Sequence, residues 1–157
     1  MPQAAINHVS VLAKDLDESV AFYTDVFDME PLPTPNFEVP VKWLQAGDCQ
    51  LHLFERDIDS VGYYHFGLTV ENFEEVYRYA KEQDIFATWD DTSDASIYRL
   101  PDGVAQMYVH DPAGNLVECD YPDIDALDDD ILAESLNRDE LEEQTGEAAR
   151  GTLGLSD

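Results

Sequence analysis

His8 and His65 stand near the start of two similar stretches, Ile6-Asn7-His8-Val9-Ser10-Val11-Leu12 and Tyr63-Tyr64-His65-Phe66-Gly67-Leu68-Thr69-Val70, 57 positions apart. Laying the two halves of the chain on one another also sets His52 against Glu118, so three of the four histidines and one acid fall at two pairs of matching positions. Neutral imidazole with carboxylate suits Fe(II), Mn(II), Ni(II), Co(II) or Zn(II), and two histidines with one carboxylate leave coordination positions open. A histidine alone on a strand is more often a packed or surface residue than a ligand. The matched placement is what points to a metal.

Side chains alternate across a strand, so parity says which residues share a face. Gln50, His52 and Phe54 share one face, and Leu51 and Leu53 take the other. Val9, Val11, Phe66, Leu68 and Val70 likewise lie opposite His8 and His65. The apolar side can pack on a helix, leaving the polar side to line a cleft. Tyr63 shares parity with His65, and Asp120 with Glu118, so both could reach the cleft; the reading preferred is Tyr63 as a core aromatic and Asp120 as a surface acid. Glu55 has the wrong parity to join His52, and His110, outside the matched set, is read as structural.

The elements that must position these residues are legible in outline. Residues 5–12 read as a strand. Asp15-Leu16-Asp17-Glu18 forms a carboxylate cap, and Leu16, Val20, Tyr23 and Phe27 follow at helical spacing, predicting a helix over 16–28. Pro31, Pro33 and Pro35 exclude regular structure just after it. Strands are predicted at 39–46 and 49–56 around Gly47-Asp48, and at 63–70. Asn72, with Glu75 at the reciprocal position, caps a helix carrying Phe73, Val76, Tyr77 and Ala80. Strands follow at 85–89, 95–100, 104–110 and 116–121, set off by Pro101-Asp102-Gly103 and Asp111-Pro112-Ala113-Gly114-Asn115. Strand, helix, then two or three strands is thus stated twice, as tandem copies of one unit.

Composition narrows the partners. Against 35 Asp and Glu stand 8 Lys and Arg, for a net charge of −27. Such a surface repels nucleic acid and anionic membrane. Acid spread through folded-looking segments reads as adaptation to high salt, where ions screen self-repulsion within a few ångströms. Cys49 and Cys119 are too few for a disulfide framework and are read as buried thiols in a reducing cytoplasm. No apolar run approaches the length of a bilayer span, and the N-terminus has no signal-like region, so a soluble, cytoplasmic protein is expected. Residues 122–157 carry 12 acids against Arg138 and Arg150. Ile124, Leu127 and Ile131 recur at helical spacing there, so this acidic extension either docks, partly helical, on the domain or a second subunit, or stays a solvated, disordered tail.

The chain resembles the vicinal oxygen chelate superfamily, the group of glyoxalase I, fosfomycin and bleomycin resistance proteins, methylmalonyl-CoA epimerase and extradiol dioxygenases. The stretches that carry the resemblance are Asn7-His8-Val9-Ser10-Val11, Asp17-Glu18-Ser19-Val20-Ala21-Phe22-Tyr23, Leu51-His52-Leu53-Phe54-Glu55, His65-Phe66-Gly67-Leu68 and Asp111-Pro112-Ala113-Gly114-Asn115-Leu116-Val117-Glu118. It implies an α+β fold of two tandem βαββ(β) modules, about 5–56 and 63–121 of a domain over 1–121, forming an incomplete barrel around a metal cleft. It further implies a divalent metal ion (Fe2+, Mn2+, Ni2+, Co2+ or Zn2+) on His8, His65 and Glu118. His52 stands where glyoxalase I has a ligating glutamate, so it is a fourth ligand, a general base or an orienting residue. The implied function is a metal-dependent enzyme acting on a small molecule with vicinal oxygens, dioxygenase-like or isomerase/lyase-like, with His52 and Glu118 as catalytic residues and a homodimer as the assembly. The alternative is a metal-independent binding protein of the bleomycin-resistance kind.

Overall fold

The computed structural model describes residues 4–87 and 96–155. The chain divides into two compact units, residues 1–66 with 110–115 and residues 67–109 with 116–157. In the first, β1 (His8–Ala13), α1 (Leu16–Phe27), β2 (Glu30–Leu32), β3 (Val41–Ala46) and β4 (Cys49–Glu55) follow one another, and the strands form a sheet in the order β1-β4-β3-β2. β1 runs parallel to β4, pairing Val9 with Leu51 and Val11 with Leu53, while β3 and β4 form an antiparallel hairpin that places Trp43 opposite His52. Leu44, Leu51, Leu53, Phe22 and Tyr23 are buried as the core of this unit.

Local chemistry sets the ends of α1. Asp15 Oδ1 accepts from the Glu18 backbone N–H at 3.0 Å, as the cap motif requires, and Asp28 closes the helix in the left-handed region at φ 55. Glu55, at the end of β4, accepts from the Leu16 N–H at 2.8 Å; its wrong parity for the cleft is what lets it tie strand to helix. The three prolines do not exclude regular structure as expected. Pro31 sits inside β2, opposite Leu44, because β2 is the sheet's edge, where a residue without an N–H forfeits no ladder bond.

The second unit holds α2 (Phe73–Gln83), β6 (Ile97–Arg99), β7 (Ala105–His110) and β8 (Leu116–Tyr121), and its sheet runs β5-β8-β7-β6-β9, with β5 at His65–Thr69 and β9 at Ser135–Asn137. Phe73, Val76, Tyr77 and Ala80 are the buried face of α2, as their spacing predicts. The capping box does not form: Asn72 makes no side-chain bond to the helix N-terminus and its amide donates instead to Glu75 Oε2 at 3.5 Å. Of the strand predicted over 85–89, Phe86 makes a single bridge to Val109, and 88–89 lie outside the described residues, as does 95 of the next strand. Both sheets are open and mixed, and each unit carries a helix, which gives the α+β class expected.

The acidic extension is folded over most of its described length. A 3-10 turn (Ile124–Ala126), α3 (Asp129–Leu132), β9, α4 (Arg138–Leu141) and a second turn (Ala148–Arg150) follow β8. Ile124 and Ile131 are fully buried and Leu127 nearly so. Arg78 pairs with Asp128 and Asp130 at 3.1 and 2.9 Å, and Lys81 with Glu134. All of these charges are at least two-fifths exposed, so water and salt screen each pair and its contribution is small. Burying an Ile or Leu contributes roughly 1.5–3 kcal/mol, so the apolar anchors dominate the docking.

Candidate metal centre

In the first unit, alternation on β4 turns Leu51 and Leu53 inward and leaves Gln50, His52 and Phe54 half-buried on the other face. There the His52 ring is sandwiched. Trp43 stacks on one side at 4.3 Å between centroids and 7° between planes, and His8 at 4.2 Å and 18°. Asn7, His8, Ser10, Phe37, Val41, Trp43, Gln50, His52 and Phe54 line an open groove of about 580 Å³. Burial, and then the neighbouring His8, push the His52 pKa below its ordinary value, which favours the neutral ring.

The acceptors around each ring decide its tautomer, since a carbonyl oxygen can only accept. His8 Nδ1 faces Asn7 Oδ1, and His65 Nδ1 faces the Tyr63 carbonyl at 2.8 Å. The backbone carbonyl requires the proton on Nδ1 of His65, and the Asn7 amide, with its oxygen turned to the ring, favours the same tautomer on His8. His52 is the reverse: Nε2 donates to Gln50 Oε1 at 2.8 Å, leaving the lone pair on Nδ1. Tyr63 holds its carbonyl in place from a left-handed backbone, φ 72, a conformation that costs a bulky residue on the order of 1–2 kcal/mol.

The carboxylate lies in the second unit. Glu118 is buried on β8, and its Oε1 accepts from Tyr108 Oη at 2.8 Å and from Gln106 Nε2 at 3.1 Å. Asp120, two residues on, is also buried, and Gly67 makes room for the pair: a Cβ there would lie 3.3 Å from Glu118 Oε2 and 3.4 Å from Asp120 Oδ2. Burial first, then a hydrogen bond and repulsion from Glu118, push the Asp120 pKa up to about 9, so Asp120 holds its proton at neutral pH. Asp120 Oδ1 has no hydrogen-bond partner among the described residues.

The Asp120 proton sets a sign for pH dependence. The folded chain holds a proton on Asp120 that the unfolded chain releases near 3.8, so stability falls as pH rises between those values and the loss is complete above about 9. Replacing Asp120 by Asn removes this dependence. The measurement is urea unfolding of the metal-free protein at pH 5 and 8, where wild type should lose more stability than Asp120→Asn; equal losses would sink the assignment of a raised pKa to Asp120.

His8 and His52 thus lie in the first unit and Glu118 in the second, His65 stands at the start of β5, within which the units divide, and the structure brings His8 and His52 together. Among the described residues no group of three or more His, Cys, Asp and Glu is gathered about one point. Two of the sequence readings are reversed. Asp120 is 4% exposed, and Tyr63, read as a core aromatic, is 72% exposed. Alternation assigned each to a face, but what covers a face is a tertiary matter. Cys119 is buried as expected, and burial pushes its thiol pKa far up; Cys49 is only half-buried, and both thiols are free. His110 ends β7 at the surface.

The donor chemistry fits a divalent cation. A metal-bound imidazole characteristically donates its other N–H to a carbonyl, as His8 and His65 do, and a ligating carboxylate is itself hydrogen-bonded, as Glu118 is. The unsatisfied Asp120 oxygen marks a place where a cation or proton is stabilising. His52 does not fit as a companion ligand of His8. Imidazole lone pairs lie in the ring plane, and two nearly parallel rings 4.2 Å apart do not aim them at one ion about 2 Å from each. Gln106, Tyr108, Gln50 and Trp43 were not singled out from sequence. Parity pairs Gln106 with Tyr108, but only the register between strands brings them to Glu118.

A family model described as Glyoxalase/Bleomycin resistance protein/Dioxygenase superfamily matches residues 5–119. Among solved structures, the chain is 26% identical to a lactoylglutathione lyase from Agrobacterium tumefaciens, with TM-score 0.57 over 77% of this chain and 96% of that one. It is 20% identical to the oxidase ChaP-H2, with TM-score 0.61 over 76% and 94%. It is 16% identical to a fosfomycin resistance protein from Listeria monocytogenes, with TM-score 0.53 over 76% and 91%. The last two likenesses concern the fold alone. No curated protein sequence matches. Among the described residues no helix is long and apolar enough to cross a membrane.

Proposed function

Because the chain belongs to the Glyoxalase/Bleomycin resistance protein/Dioxygenase superfamily, we propose that it is a metal-dependent enzyme acting on a small molecule with two adjacent oxygens. The observation that carries this reading is the matched tautomers of His8 and His65, each with Nδ1–H held by an oxygen and the lone pair on Nε2. With Glu118, whose other oxygen already takes two donors, they form the ligand set; the carboxylate comes from the same chain or from a second copy in a homodimer. A divalent ion so held, Fe2+, Mn2+, Ni2+, Co2+ or Zn2+, supplies Lewis acidity toward the substrate oxygens.

His52 is the base rather than a ligand. Favoured in its neutral form, and with Nε2–H fixed by Gln50, it presents Nδ1 as its proton acceptor. Phe37, Trp43 and Phe54 give the groove flat apolar walls that orient the substrate. Isomerase or lyase chemistry takes its support from the lyase at 26% identity, and a dioxygenase-like reaction is the other outcome of the same test. Protein purified in high salt without chelators is assayed for bound metal, then with methylglyoxal and a thiol, and with catechols and oxygen after anaerobic Fe(II) loading. A chain that neither carries nor takes up metal rules the enzyme reading out. The aromatic walls alone would then support the second reading, a metal-independent binding protein of the bleomycin-resistance kind.

From the net charge alone, we further propose a cytoplasmic protein adapted to high salt. With a net charge of −27, self-repulsion between surface carboxylates grows as the screening length rises from about 3 Å at 1 M salt to about 10 Å at 0.1 M. The expected result is a fall in Tm on the order of 5 °C between those conditions, or roughly 1–2 kcal/mol. A Tm that does not move removes the halophilic part of the proposal.

A further inference from the structure

Arg138 lies beyond the stretch that matches the family, in the acidic extension, yet it reaches the carboxylate described above through one intermediary. β9 adds to the sheet edge parallel to β6, with Leu136 opposite Tyr98, and Tyr98 is opposite Gln106 on β7. This register sets Arg138, at the start of α4, over the Tyr98 ring at 4.3 Å, and its Nη2 donates to Gln106 Oε1 at 3.1 Å. Gln106 Nε2 then donates to Glu118 Oε1.

A carboxamide placed between two groups can face either way unless a neighbour forbids one orientation. A guanidinium has donors and no acceptor, so whichever end of Gln106 faces it must be the oxygen. The NH2 end is then turned to Glu118. If Arg138 is removed, the Gln106 oxygen loses this charged donor and the acceptor-only Glu118 carboxylate alone selects the orientation, so the amide and the carboxylate it bonds are held less firmly. We propose that Arg138 is a positioning residue: it locks the orientation of the Gln106 amide and so holds Glu118 in a single hydrogen-bonded rotamer. The extension is thereby a working part of the site, an inference that rests, for its chemical consequence, on reading Glu118 as a metal-binding carboxylate.

Two measurements on the full-length protein test it. The first does not involve metal: the side-chain amide of Gln106 is followed by 15N NMR in wild type, Arg138→Met and Arg138→Lys, with Arg150→Met as a control on the same extension. Methionine keeps a flexible stem over Tyr98 but donates nothing, so amide exchange with water should speed up about tenfold and the amide signals should shift. Lysine, still a pure donor, should restore the wild-type behaviour, and Arg150→Met should not alter it. Should the methionine variant fail to fold by circular dichroism, Arg138→Gln, too short to reach Gln106, takes its place. The second is Zn2+ affinity by competition with a chromophoric chelator, expected to fall about 10-fold or more in Arg138→Met, as for loss of other groups that orient a ligand. Unchanged Gln106 amide exchange in the methionine variant overturns the proposal even if Zn2+ binds normally. Wild type that binds no Zn2+ overturns the metal reading instead, while the orientation lock is decided by the amide.

Discussion

Replacing His65 by alanine or Glu118 by glutamine is expected to eliminate stoichiometric metal from protein purified without chelators. In each case the loss of affinity should exceed the about 10–100-fold typical of a supporting residue, because a bond to the ion itself is removed. Glutamine at 118 keeps an oxygen for Tyr108 and Gln106, so the local hydrogen bonds survive while the charge does not. His52→Ala separates the two histidine roles. It removes a ring that stacks on His8 but contributes no converging lone pair, so metal is retained to within about the 100-fold range of a supporting residue. Turnover should fall in that variant, and the acidic limb of its pH profile should disappear with the base. Metal lost from His52→Ala as completely as from His65→Ala would show His52 to be a ligand after all.

The largest effect on stability is expected at Asp111, a residue with no part in the metal reading. It is 5% exposed and accepts four hydrogen bonds: from Tyr23 Oη at 2.7 Å, Ala113 N at 3.0 Å, and Asn115 N and Nδ2, both at 2.8 Å. Asn115 in turn donates to the Leu12 carbonyl, so one carboxylate joins the 111–115 turn, α1 and β1. Asp111→Ala strands these donors in a buried place, at roughly 1–3 kcal/mol for each left unsatisfied, and a total of about 3–5 kcal/mol is expected after relaxation. That is a large part of a total stability of about 5–15 kcal/mol. Asp111→Asn should cost less, since its carbonyl can still serve two donors while its NH2 meets two others. Burial raises the Asp111 pKa more than its hydrogen bonds lower it, so protonation contributes stability on the acid side and the wild-type advantage over Asp111→Asn should widen as pH falls through that raised pKa toward the unfolded value. Urea unfolding at several pH values measures both, and a loss under about 1 kcal/mol for the alanine variant would contradict the network's role.

How far the chain could be read without its structure differs from residue to residue. The strand around His52 was legible because alternation is a property of one strand, and Leu51 and Leu53 did turn inward while Gln50, His52 and Phe54 turned to the groove. Asp15 was legible as a cap because its partner is three residues away. Asn72, in the same kind of motif, failed because cap geometry depends on a backbone angle that the residue types do not impose. Pro31 was misjudged for a related reason: proline is excluded from a strand's interior only where both edges are paired, and which strand lies at the edge is a property of the sheet. Arg138 carried a faint signal, as one of two basic residues in 36, but its target, Gln106, is 32 residues away and is reached only because β9 pairs with β6.

Local periodicity and repeated spacing therefore determined the α+β class, the two longer helices, the histidine positions and the family, since each depends on neighbours within a few residues or on the match of one half to the other. Tertiary structure decided the rest. It stacked His52 between His8 and Trp43, assigned opposite tautomers to His52 and to the His8 and His65 pair, buried Asp120 beside Glu118, and tied the acidic extension to the carboxylate through Arg138. The physical reason is common to all four: hydrogen-bond acceptors, stacking partners and burial belong to groups brought together from distant parts of the chain by strand register, which no local pattern encodes.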